Sequence, residues 1–260
     1  VETGLRGHRA LVTAASRGLG LASARALAAE GCRVAISSSD EDRIQTAARK
    51  LREEGHDVVA RVADLRQADQ CRDLVEWATT TLGGLDVLVN NTRGPVLGSV
   101  VELDDQAWAE AINLVLMSAV RLTRASLPAL RRDRGAIVNL TSIAAHQPVD
   151  NLVLSNALRP AVVAMGKTLA KEAAPEVRVN SILTGRFETD RIVEENRHQA
   201  SKLGLDPKEF TARSIRNIPL GRHGRPAELA AAVVFLAGDA ASFITGTTLA
   251  VDGGEYAGLF

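Results

Sequence analysis

The segment Thr13-Ala14-Ala15-Ser16-Arg17-Gly18-Leu19-Gly20 sets two glycines and several polar side chains where an apolar run gives way to one rich in Ala and Leu. Glycines at a strand-to-helix turn let the backbone approach a pyrophosphate. The helix N-terminus adds free N–H groups and a positive dipole end. A Gly-x-Gly alone is weak, because turns need glycine anyway; its place at the first such turn gives it meaning. A second polar cluster, Ser37-Ser38-Ser39, closes the next apolar run. NAD-selective sites usually carry an acid there for the ribose 2′-hydroxyl, and here Asp40 comes late. Hydroxyls accommodate a phosphate and Arg17 can pair with one, which favours NADP(H) over NAD. Asp40 is the dissenting residue, and its simpler reading is the N-cap of the following helix.

These residues need a frame. Short β-branched runs at 9–13, 33–37, 58–63, 87–90, 136–140, 177–182 and 248–251 alternate with helical patterns near 19–30, 40–54, 68–82, 104–130, 151–173 and 227–236. The fourth helical pattern carries a break. Strands joined by crossover helices are parallel, and right-handed crossovers put helices on both faces. Strands apolar almost throughout, such as AIV in 136–140, fit a sheet covered on both sides. The expectation is one α/β domain over 1–260, a Rossmann-type doubly wound parallel sheet of seven strands. The charged segment 186–217 breaks the alternation and reads as an excursion over the carboxyl ends of the strands, a lid over the ligand site.

Composition narrows the rest. With 260 residues, 46% of them hydrophobic, a sizeable core is expected. Thirty-one basic and 31 acidic side chains cancel, and aromatics are 3%, so nucleic acid is a poor partner. Cys32 and Cys71 lack CxxC spacing, which supports neither a disulfide framework nor a metal site. Cys32 reads as a buried, inert thiol. The beginning of the chain lacks the layout of a signal peptide. No apolar run reaches the roughly 18 residues of a membrane span. The expectation is a cytoplasmic protein with no membrane partner.

The loop resembles the T-G-x-x-x-G-x-G of the short-chain dehydrogenase/reductase family, and the likeness continues along nearly the whole chain. Asp64, with Leu65 beside it, stands where the family contacts adenine. Asn90-Asn91 is similar to the family's N-N-A-G, and Asn113 and Ser142 match its catalytic Asn and Ser. Gly185 and Thr189 match P-G-x-x-x-T, and the tail from Gly221 to Gly254 follows the family pattern closely. The most similar members are β-ketoacyl carrier-protein reductases. The resemblance implies Thr13, Ser16, Arg17, Gly18, Leu19, Gly20, Ser38, Ser39, Asp64, Leu65, Asn90, Asn91, Arg159, Gly185 and Thr189 as cofactor-binding residues. It also implies a homotetramer built partly through the 151–173 helix, and a small carbonyl or alcohol substrate, with a 3-oxoacyl thioester among the options.

Catalysis is where the chain departs. The family places Tyr about thirteen residues after the Ser and Lys four residues later on the same helix face. Counting from Ser142 reaches Ser155 and Arg159; the other register, Leu154 and Leu158, offers no polar group. The catalytic set is therefore Ser142, Ser155, Arg159 and Asn113. A phenol with a pKa of about 10 can be tuned toward neutrality by a cation, whereas an aliphatic hydroxyl cannot act comparably. Arg keeps its charge and can still hold ribose hydroxyls. Ala14, Arg93 and Thr184 are further departures, at a loop glycine, the Gly of N-N-A-G and the Pro before Gly185. His146 has a suitable pKa for proton transfer, against a plain reading as a solvated loop residue. Tyr256 reads first as a packing residue of the tail. Arg93 and Arg186 suit an anionic ligand or mere solvation, and Lys167 is two turns too far to replace the Lys. Two readings follow: an NADP(H)-dependent oxidoreductase interconverting a ketone and a secondary alcohol, or a catalytically impaired dinucleotide-binding sensor or structural protein.

Overall fold

Seven strands, β1 (Arg9–Val12), β2 (Arg33–Ser38), β3 (Val58–Val62), β4 (Val87–Asn90), β5 (Ala136–Leu140), β6 (Arg178–Thr184) and β7 (Thr248–Val251), make one sheet in the order β3-β2-β1-β4-β5-β6-β7. Every neighbouring pair is parallel. The computed structural model describes residues 2–259, apart from the side chains at 195, 198 and 202. Val1 and Phe260 of the expected 1–260 domain lie outside the described residues.

The period of two along each strand explains the two cores. Ala10, Val12, Val34, Ile36, Val87, Val89 and Val138 face one side, against α1 (Gly18–Ala29), α2 (Glu41–Glu53) and α9 (Pro226–Ala237). Leu11, Ala35, Leu88 and Ile137 face the other, against α3 (Ala68–Leu82), α5 (Ser118–Asp133) and α6 (Val153–Glu172). The doubly wound sheet expected from the sequence is therefore present. The break expected within 104–130 is a π-helical stretch, Ile112–Met117, between α4 (Asp105–Ala111) and α5. A third apolar cluster joins Leu154 and Leu158 of α6 to Ala111, Leu114, Val115 and Ala119. Those two leucines are core, and the neighbouring face of α6 carries Ser155 and Arg159, which are buried as well. Both cysteines are buried, and burial pushes the Cys32 thiol up to about 12.

Winding reverses between β1 and β4, which are neighbours although two strands separate them in the chain. Ligands of open α/β sheets bind in the crevice outside the carboxyl ends at such a reversal. At the opposite, amino end the pair is clamped by Asp86, which accepts from the Arg9 backbone N–H at 2.7 Å, its Nε at 2.7 Å and its Nη2 at 2.8 Å. After β6 the chain forms α7 (Asp190–Leu203) and α8 (Pro207–Arg216), the two-helix excursion anticipated for 186–217. Replacing Asp86→Ala leaves the Arg9 donors only Asp133 as an acidic partner, at 3.1 Å. We expect a loss of about 2 kcal/mol, since partly buried charge-assisted hydrogen bonds contribute that order, measured by urea denaturation. An unchanged midpoint would refute the clamp.

Candidate active site

Two connected cavities lie at the carboxyl ends of the strands. The outer crevice, about 540 Å³, is lined by the loop Ala14 and Ser16–Leu19, by Ser38, Ser39, Asp40 and Arg43 beyond β2, and by Ala63–Arg66 beyond β3. Asn91–Gly94 and residues of α7 close its other wall. The inner cavity, about 190 Å³, is lined by Ser142, Ser155, Arg159, Gly185, Arg186 and Arg191 among others. The two share Leu19, Asn91, Thr92, Gly94, Thr189 and Arg191.

The glycine loop is held by close contacts. Thr13 is fully buried; its Oγ1 donates to the Asn91 carbonyl at 2.7 Å and accepts from the Asn91 N–H at 3.0 Å. Gly20 has no room for a side chain, since a Cβ would sit 2.6 Å from both the Ala14 carbonyl and Asn91 Nδ2. Thr13 and Gly20 thus shape the loop and do not line the crevice, as the expected cofactor contacts Ser16, Arg17, Gly18 and Leu19 do. Ala14 has φ +48°, in the left-handed region, where a residue with a Cβ is strained by about 1–2 kcal/mol.

The expected phosphate end carries more charge than the sequence indicated. The Ser16 hydroxyl donates to Ser38 Oγ at 3.1 Å. Asp40 is the N-cap of α2, accepting from the Arg43 N–H at 3.0 Å, and its carboxylate pairs with Arg43 Nε at 3.1 Å. The capping reading of Asp40 therefore holds, and Arg43 joins the crevice unforeseen. Its only sequence signal was a position three residues after the cap. Asp64 and Leu65 line the crevice, with the Asp64 carboxylate gripped by Arg66 Nη2 at 2.7 Å and held below the usual carboxylate range by that guanidinium.

Two expected site residues lie elsewhere. Asn90 is 5% exposed and lines neither the crevice nor the inner cavity; its Nδ2 donates to Thr123 Oγ1 and Asn139 Oδ1 in a buried cross-strand network. Asn113 lines neither cavity: its Oδ1 accepts from Arg121 Nη2 at 2.9 Å and its Nδ2 donates to the Ala109 carbonyl at 3.1 Å. The π-helical turn shifts the register of side chains there, a displacement that a 3.6-residue period does not anticipate.

Ser155 and Arg159 lie one turn apart on α6 and line the inner cavity together with Ser142, which caps the short helix after β5 by accepting from the Ala144 N–H at 3.2 Å. Arg159 is 8% exposed. Its Nη1 donates to the Leu140 carbonyl at 2.9 Å, its Nη2 reaches Thr92 Oγ1 at 3.5 Å, and its buried Nε has no partner. Burial, reinforced by Arg191, lowers its pKa to about 10, so it is still a cation at neutral pH. His146 and Tyr256 pack edge to face with ring centroids 5.3 Å apart, and neither lines the cavity. Lys167 donates to the Gly246 carbonyl at 2.8 Å, away from the site.

The match to known proteins spans the same frame. Residues 13–255 fit the family model described as Enoyl-(Acyl carrier protein) reductase. The chain belongs to the short-chain dehydrogenase/reductase family. L-sorbose reductase from Gluconobacter frateurii, solved with NADPH and L-sorbose, superposes with a TM-score of 0.95 at 32% identity over 100% of both chains. An actinorhodin polyketide ketoreductase variant with NADPH gives 0.92 at 33% identity, covering 95% of this chain and 97% of its own. An NADPH-bound short chain oxidoreductase from Pseudomonas aeruginosa PAO1, described as containing an atypical catalytic center, gives 0.87 at 35% identity over 96% and 97%.

Ala14 stands where the family's loop has glycine, and its positive φ makes the consequence measurable. Ala14→Gly should raise the thermal midpoint by about 2 °C, as relief of roughly 1 kcal/mol would in a domain of this size. A lower midpoint in calorimetry would show that the loop is not strained.

Proposed function

We propose that this protein is an NADPH-dependent reductase of a small carbonyl compound, forming a secondary alcohol, with Ser142, Ser155 and charged Arg159 standing where the family uses Ser, Tyr and Lys. The observation that carries the reading is the convergence of these three on a cavity that opens into the dinucleotide-shaped crevice. The residues present fit the dinucleotide. Gly20 admits backbone where a Cβ cannot go, and the start of α1 offers free N–H groups to a pyrophosphate. Ser38, Ser39, Arg17 and Arg43 would hold a 2′-phosphate, Asp64 and Leu65 would flank adenine, and Asn91, Gly185 and Thr189 would border the nicotinamide. The bound cofactor supplies the hydride.

The chain supplies orientation, electrostatics and a proton route. Ser142 and Ser155 donate hydroxyl hydrogens to the carbonyl oxygen. Arg159, fixed at the floor of the cavity, keeps a positive charge beside the bound substrate; preorganised charge in a site partly shielded from water is worth more than in water. An aliphatic hydroxyl is a poor acid at neutral pH, so the proton comes from water relayed through Ser155. His146 lies outside the cavity and is not the donor. The relative described as having an atypical catalytic center supports the idea that such a site is compatible with NADPH binding. A homotetramer assembled partly through α6 belongs to the same proposal.

The missing phenol favours a second reading, a dinucleotide-binding protein with little turnover. Titration with both cofactors, followed by nicotinamide absorbance with a panel of ketones, separates the two. NADPH should bind about tenfold or more tighter than NADH, and Arg43→Ala should narrow that ratio, as loss of a charge-assisted hydrogen bond does. Tight NADPH binding without turnover of any ketone would establish the second reading. The double change Ser155→Tyr with Arg159→Lys should raise ketone reduction by about 10²-fold, the ordinary contribution of a positioned general acid. A folded double variant with no gain would count against the assigned register.

A further inference from the structure

The inner cavity has an unbalanced charge. Arg159, Arg186 and Arg191 line it, and among the described residues no aspartate or glutamate does. Arg186 is answered from outside the cavity by Glu255, whose Oε1 accepts from Arg186 Nε at 3.1 Å. Arg159 and Arg191 have no carboxylate within ion-pairing distance among the described residues. Arg191 donates to the carbonyls of Gly94 and Pro95 at 3.1 and 3.5 Å, and Arg159 to that of Leu140.

A buried cation without an anion is costly by several kcal/mol and is normally paired. Arg159 is more than nine-tenths buried and its Nε–H is unsatisfied. Ribose hydroxyls would fill its hydrogen bonds but leave its charge unanswered. The arginines suited to the cofactor's phosphates, Arg17 and Arg43, line the outer crevice only. What remains is the substrate. A guanidinium fork matches a carboxylate or phosphate in shape as well as sign.

Resting on the reductase reading above, we propose that the carbonyl substrate is a small anion, an oxo acid or a phosphorylated ketone, whose charged group is held by Arg159 with Arg191 while Ser142 and Ser155 meet the carbonyl. A cavity of about 190 Å³ holds the volume of about six waters at roughly 30 Å³ each, which suits a chain of a few carbons. Arg191, at the start of α7, reads the charge from the lid side, and Arg159 reads it from the floor.

The test is binding to protein saturated with NADP⁺, on which no reduction can occur, measured by calorimetry. 2-Oxobutanoate is compared with 2-oxobutanamide, and dihydroxyacetone phosphate with dihydroxyacetone. One anion should bind about tenfold or more tighter than its neutral partner, the scale of a charge-assisted hydrogen bond. The pair that shows the preference tells carboxylate from phosphate. Arg159→Met should bring that ratio near one, and Arg191→Gln should reduce it. Equal binding within both pairs in the wild type overturns the proposal. So does an undiminished preference in folded Arg159→Met; if that variant does not fold, an undiminished preference in Arg191→Gln overturns it. Failure of NADP⁺ to bind refutes the cofactor reading instead, and the anion comparison is then read on the free protein with the same outcomes.

Discussion

The pairing of β1 with both β2 and β4 is the constraint on which the site depends. Crossovers leave that point in opposite directions along the sheet, so no helix covers the carboxyl ends of the two central strands. The Thr13 N–H donates to the Val89 carbonyl and the Thr13 hydroxyl to the Asn91 carbonyl, tying the loop after β1 to the segment after β4. From that seam hang the start of α1, the Asn91–Gly94 wall and the access from crevice to inner cavity. Gly20 and Asn91 are packed so closely that the loop has one arrangement available.

Charge divides the two compartments. The outer crevice mixes five arginines with Asp40, Asp64, Asp190 and Glu194, so its cations are largely answered within the protein. Exposed pairs such as Arg17 with Glu194 at 3.7 Å contribute little and yield easily to a phosphate. The inner cavity is different in kind, lined by Arg159, Arg186 and Arg191 and by no acid among the described residues. Arg159 is buried, and low-dielectric surroundings magnify its charge, which makes it costly to the fold.

The loss of the phenol changes what the site asks of its other groups. In the family a single Tyr–Lys pair supplies proton and ribose contact together. Here α6 carries Ser155 and Arg159, and the Arg159 guanidinium is held against the Leu140 carbonyl. Pro160 follows Arg159 directly inside α6 and has no N–H to return to the Asn156 carbonyl. The helix continues through this point to Glu172, one backbone hydrogen bond short beside Arg159.

Strand alternation, the glycine turn and the i, i+4 relation of Ser155 to Arg159 are short-range patterns, and the sequence alone determined them. Sheet, winding, a break somewhere within 104–130 and the capping role of Asp40 were legible for that reason. Asn90 and Asn113 were misplaced because a buried network and a π-helical turn turned their side chains away from the cavities. Thr92 and Arg191 gave almost no signal, since their contacts arise between residues far apart: Arg159 meets Thr92 across 67 positions, and Arg191 meets Gly94 across 97. Only the tertiary structure decided that Arg159 is buried with no carboxylate within ion-pairing distance among the described residues. That is a property of everything packed around it, and no local pattern in the chain records an absent neighbour.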